Sequence, residues 1–262
     1  MELDDAYANA AYIPGADGYP PRWEKAAGQF RQSLGARAQT GNSYGAHARQ
    51  QFDLFLPRGT PRGVVVFVHG GYWLKFDRSY WSHLAAGPLG HGWAVAMPSY
   101  VLCPEVGIPD ITRQIADAVH AVAARVAGPV ALAGHSAGGH LVSRMLAPGM
   151  LTPAVAARLH HVIPISPLTD LRPFLKTSMN TDLGLTVESA TSESPVMQPA
   201  PATPVTVWVG ADERPAFLDQ TAWLADAWQC DQVIVPGKHH FDVIDELEDP
   251  DSALVKTLLG LG

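Results

Sequence analysis

The chain has 262 residues, 47% apolar and 16% charged, which is enough to bury the core of one larger α/β domain. A net charge of −7, with no basic run and no basic-aromatic stripe, excludes the electrostatic footprint of a nucleic-acid binder. No apolar stretch reaches the ~18 residues of a membrane span, and the acidic opening MELDDAYANA lacks a charged-then-apolar leader, so a cytoplasmic protein without a membrane partner is expected.

Cys103 and Cys230 are the only cysteines, too few for a disulfide framework, and are read as reduced thiols. Residues 1–50, punctuated by Pro14, Gly15, Gly18, Pro20 and Pro21, predict an arm and a short helix packed over the core. Short apolar runs then alternate with amphipathic ones: strands 51–57 and 63–69, a helix near 79–87, strand 92–97, helix 110–127, strand 129–134, helix 137–147 and strand 160–166. A Pro- and Ser-rich excursion at 167–203 precedes strand 204–210, helix 215–229, strand 231–236 and a last helix at 250–260. Strand-helix alternation of this kind predicts a single α/β domain over 1–262, with a mostly parallel central sheet covered by helices on both faces.

Two strand ends carry glycine-rich turns. In "PVALAGHSAGGHLVSRML" an apolar strand runs through Gly134-His135-Ser136-Ala137-Gly138 directly into a helix, a context that would project the Ser136 hydroxyl at the carboxyl edge of the sheet. In "VVVFVHGGYW" a strand ends in His69-Gly70-Gly71-Tyr72-Trp73, where free backbone N–H groups can converge on a developing oxyanion. Gly71 and Tyr72 are the expected donors, with Ala137 N–H as their complement and Gly70 shaping the loop. His69 reads as a loop-orienting residue.

A serine hydroxyl becomes nucleophilic at neutral pH only beside a base, and that base needs a carboxylate to hold its tautomer. "VWVGADERPAF" and "VPGKHHFDVIDEL" follow the last two strands and supply both types in the order serine, acid, histidine. His240 is preferred over His239. Glu213, three residues beyond Gly210, is preferred over Asp212, which stays open as the alternative acid.

Together these segments resemble the α/β-hydrolase family, and within it the kynurenine formamidase (arylformamidase) branch beside the hormone-sensitive-lipase-like esterases. The likeness covers roughly residues 50–250 and rests on His69-Gly70-Gly71-Tyr72-Trp73, Tyr100-Val101-Leu102-Cys103-Pro104-Glu105, Gly134-His135-Ser136-Ala137-Gly138-Gly139-His140, Asp182-Leu183-Gly184-Leu185 and His240-Phe241-Asp242-Val243-Ile244. A gapless match sets Glu213 where those formamidases carry Asp, and His239 where they often carry Asp before the catalytic histidine. The resemblance implies an α/β-hydrolase fold and a serine hydrolase working through an acyl-enzyme, with N-formylkynurenine as the first substrate considered. Short-chain esters and thioesters are the alternative, and a non-catalytic binding module on the same fold is the remote one.

Tyr72 and Trp73 are expected in the substrate pocket, and the 167–203 excursion, with Phe174, Met179 and Met197, is expected to act as a cap beside it. None of the 11 histidines has zinc-protease or finger spacing, and no phosphate-loop or dinucleotide glycine pattern occurs, so neither metal nor cofactor is expected. The expected partner is a small-molecule substrate. The residues do not specify an oligomeric state, and a homodimer stays open.

Overall fold

The computed structural model describes residues 1–261. Eight strands form one sheet: β1 (Ala38–Ser43), β2 (Gln51–Phe55), β3 (Val64–Val68), β4 (Ala94–Pro98), β5 (Val130–His135), β6 (Leu159–Ile165), β7 (Thr206–Gly210) and β8 (Asp231–Val235). Their spatial order is β1-β2-β4-β3-β5-β6-β7-β8. The pairs β1·β2 and β2·β4 are antiparallel and every other pair is parallel.

The α-helices are α1 (Tyr19–Leu34), α2 (Ala86–Gly90), α3 (Ile108–Arg125), α4 (Ala137–Arg144), α5 (Pro153–Ala156), α6 (Asn180–Leu183), α7 (Val187–Ser192), α8 (Pro215–Trp228) and α9 (Ala253–Leu259). Central strands buried on both faces need apolar side chains at every position. In β3, Val64, Val66 and Val68 pack with residues of α3, α4 and α8, while Val65 and Phe67 pack on the opposite face with residues of α1 and α9. The period-2 alternation of a strand thus serves two cores.

Three features differ from the sequence reading. The N-terminal helix spans 16 residues, begun by Pro20 and Pro21 in its first turn, where a missing N–H costs nothing, and anchored by buried Trp23 and Ala27 one turn apart. Strand β1 was not expected, because its AQTGNS sequence has no buried position and so no apolar alternation to read. The region 79–87 is two 3₁₀ turns, Arg78–Tyr80 and Ser82–Ala85, running into the short α2. Cys103 and Cys230 are free thiols. Among the described residues, no helix is long and apolar enough to cross a membrane.

Candidate active site

The turn between β5 and α4 is built by close backbone approach. Ser136 adopts φ 57° and ψ −117°, a conformation L-residues rarely enter, and its N–H donates to Ile165 O at 2.8 Å. A Cβ on Gly134 would lie 2.2 Å from Gly138 O, and one on Gly138 would lie 1.9 Å from Val68 O. Only glycine permits the helix start to seat this tightly on β3 and β5.

Ser136 opens onto a cavity of about 600 Å³ that it shares with Gly70, Gly71, Tyr72, His135 and His240. The loop after β3 bends sharply, with Gly71, Tyr72 and Trp73 all at positive φ. Its residues 71–75 are held by Leu74 N–H and Lys75 N–H, both donating to Gly71 O at 3.0 Å. Among the described residues, the N–H groups of Gly71, Tyr72 and Ala137 donate to no protein acceptor, and Gly71 and Tyr72 line the cavity. Behind them His69 stacks on Tyr100 at 4.5 Å between ring centroids, while its own carbonyl accepts from Tyr100 Oη at 3.0 Å. Burial lowers the His69 pKa to about 4, so the ring is neutral at physiological pH.

His240 follows β8 and Glu213 follows β7, and the two meet in a fully buried pair with His240 Nδ1 to Glu213 Oε2 at 2.6 Å. A carboxylate oxygen only accepts, so this bond calls for the Nδ1–H tautomer, with Nε2 as the ring's free nitrogen. The other carboxylate oxygen accepts from Gly210 N–H at 2.9 Å and from Ser166 Oγ. Asp212 is exposed, and its backbone N–H pairs with Lys238 O at 2.9 Å. His239 turns away toward Tyr19 Oη, 3.0 Å from its Nε2.

His135 holds His240 from below. Its Nε2 lies 2.8 Å from the His240 carbonyl, and the two rings are 4.5 Å apart. A carbonyl only accepts, so Nε2 bears the proton, and burial pushes the His135 pKa well below its ordinary value, keeping it a neutral donor. Ser136 and His240 share the cavity wall but are not hydrogen-bonded to each other in this structure.

Two expectations about the pocket are corrected. Trp73 is fully buried behind the cavity, packed edge-on against His140 at 5.2 Å and Phe174 at 6.0 Å. The indole points into the core while its neighbour Tyr72 lines the cavity. The 167–203 excursion contributes Ser178 and Met179, whereas Phe174 is buried and Met197 is exposed elsewhere.

Most of the roof is the N-terminal arm, with Tyr7, Asn9, Ala11 and Trp23 among its residues. The arm is pegged by Tyr72 Oη donating to Tyr7 O, Gln220 Nε2 donating to Tyr7 Oη at 3.0 Å, Ser178 N–H donating to Asp4 Oδ1 at 2.6 Å, and an Arg214–Asp5 ion pair at 2.7 Å. Ser166, Tyr7 and Asn9 carry no local motif, and His135 lies within the Gly134–Gly138 motif without its supporting contact being readable there, because each meets a partner distant in the chain. Among the described residues, no group of three or more His, Cys, Asp or Glu side chains could hold a metal ion.

A family model described as the alpha/beta hydrolase fold matches residues 65–233, more than half of the chain. The chain belongs to the α/β-hydrolase fold family. This hydrolase is 28% identical over 234 residues to a kynurenine formamidase of Salmo salar, covering 82% of this chain and 79% of the relative. A kynurenine formamidase of Drosophila melanogaster is 29% identical over 233 residues, covering 80% and 77%. A solved structure of a candidate thioesterase from Silicibacter sp. TM1040 is 60% identical, covers 99% of both chains and superposes with a TM-score of 0.98. An esterase of Pyrobaculum calidifontis, at 18% identity, covers 94% of this hydrolase and 93% of its own chain, with a TM-score of 0.71, a likeness of fold.

Proposed function

We propose that this hydrolase cleaves a small acyl or formyl group from an aryl amine through an acyl-enzyme on Ser136, in the manner of an arylformamidase. The observation that carries the reading is the buried His240–Glu213 pair at 2.6 Å, whose His240 lines the same cavity as a serine held at positive φ on the strand-helix turn. Ser136 Oγ attacks the carbonyl as His240 Nε2 takes its proton, a contact that tightens when substrate fills the site. Glu213 fixes the imidazole tautomer and stabilises its cationic form. The N–H groups of Gly71, Tyr72 and Ala137 receive the oxyanion. His240 then protonates the departing amine and afterwards activates the water that releases the acid.

The cavity supports an aryl substrate. Trp23, Phe76, Trp81 and Phe241 line it, an aromatic wall whose rings stand at 43° to 85° to one another and offer apolar faces and edges to one ring system. The formamidase relatives, matched over four fifths of the chain, favour a formamide. The 60% identical candidate thioesterase favours a second reading, hydrolysis of an acyl thioester by the same residues.

kcat/KM measured on N-formylkynurenine, an aryl acetate and an acyl thioester tests both. A formamide value equal to or above the other two is expected. A formamide value far below the thioester value would transfer the assignment to the second reading. Ser136→Ala is expected to abolish turnover of all three, and activity surviving that change would overturn the nucleophile.

A further inference from the structure

We infer that Asn9 Oδ1 accepts a hydrogen bond from the N–H of the substrate's departing amine, so that the cavity selects formamides over esters and thioesters of the same shape. The inference rests on the proposed acyl transfer and adds a specificity-determining residue to it. Asn9 stands at the position preceding a 3₁₀ turn, Ala10–Tyr12, where asparagine ordinarily caps the free N–H groups of the turn, yet its side chain makes no capping bond. The amide reaches across the arm instead, with Nδ2 donating to Tyr72 Oη at 3.1 Å.

The orientation of that amide is determined by its neighbour. Tyr72 Oη has one proton and donates it to Tyr7 O, so toward Asn9 the hydroxyl can only accept. Asn9 must therefore present nitrogen to Tyr72 and oxygen elsewhere. Its Oδ1 is buried without a protein partner in a residue only 6% exposed. A buried acceptor left unpaired is costly, and a ligand donor that satisfies it recovers that cost.

Position supplies the chemistry. The Ser136 cavity and a second cavity of about 250 Å³ have two lining residues in common, Asn9 and His240. Asn9 thus shares both cavity walls with the residue proposed to hand a proton to the leaving group. A departing anilide nitrogen carries one N–H of its own and receives its second proton from His240; an ester oxygen or thioester sulfur carries no such hydrogen. An unpaired acceptor at this place discriminates between them.

The test is the ratio of kcat/KM for formanilide to that for phenyl formate, in wild type, Asn9→Leu and Tyr72→Phe, with Asn9→Ala replacing Asn9→Leu if the larger side chain prevents folding. Loss of Oδ1 is expected to lower the ratio about tenfold. Tyr72→Phe, which keeps Oδ1 but removes the hydroxyl that orients the amide, is expected to lower the ratio by less than the Asn9 variants do, even where both rates fall. Equal losses on the two substrates in the Asn9 variants would reduce Asn9 to a structural peg and overturn the inference. A wild type that hydrolyses phenyl formate but not formanilide would overturn the formamidase reading and this role with it, whereas brisk formanilide turnover with an unmoved ratio would overturn the role alone.

Discussion

At the scale of single residues, the two adjacent carboxylates after β7 have opposite environments. Glu213 is sealed against His240, with both carboxylate oxygens occupied, while Asp212 is solvated. Glu213→Gln is expected to lower kcat by about 10²- to 10⁴-fold by losing the charge that fixes the imidazole, and Asp212→Asn to change it less than about twofold. Steady-state kinetics on either ester or formamide reads this directly, and the reverse pattern would move the acid to Asp212. Ser166, itself at positive φ, donates to the Glu213 oxygen that does not face His240. Ser166→Ala removes a hydrogen bond to a charged acceptor, about 1.5–3 kcal/mol, and is expected to cost roughly tenfold or more in kcat with little change in KM.

At the scale of elements, the turn between β5 and α4 works because two backbone segments touch where side chains would stand. Gly138→Ala would press a Cβ against Val68 O at 1.9 Å, with backbone on both sides and no flexible side chain to yield. The expected result is loss of more than about 3 kcal/mol of stability or failure to fold, read by urea unfolding. Gly149→Ala provides the contrast: no atom lies within 4 Å of its added Cβ, and only its φ of 78° opposes the change, so a cost near 1 kcal/mol is expected. The N-terminal arm is an element of another kind. Side-chain pegs hold it rather than a sheet ladder, and one of them, Tyr72, belongs to the loop after β3 that lines the cavity.

At the scale of the whole molecule, several imidazoles are folded into apolar surroundings in their neutral form. Burial lowers His69 and His140 to about 4 from the ordinary 6.5. Between those values the unfolded chain holds more protons than the folded one, so stability rises with pH across that interval and is lost on acidification. The thermal midpoint is therefore expected to be level above about pH 6.5 and to fall steeply toward pH 4. His140→Gln should flatten that fall. An unchanged slope would place the acid sensitivity in other groups.

Much of this organisation was legible in the chain itself. The short apolar runs of β3 to β7 and the glycines flanking Ser136 predict strands, turns and a strand-end site because backbone sterics and burial act locally, over a few residues. The serine, histidine and carboxylate segments could be named from the strand ends that carry them. Strand β1 could not, since an edge strand with no buried position has no pattern. Nor could the inward turn of Trp73, the arm that roofs the cavity, the support of Ser166 and His135, or the unpaired oxygen of Asn9. Residue types and the periodicity of burial determined the sheet, the turns and the set of eligible side chains. Which of Asp212 and Glu213 meets His240, and what covers Ser136, were decided by tertiary structure, because those contacts join residues tens to hundreds of positions apart and depend on directions that chain spacing does not encode.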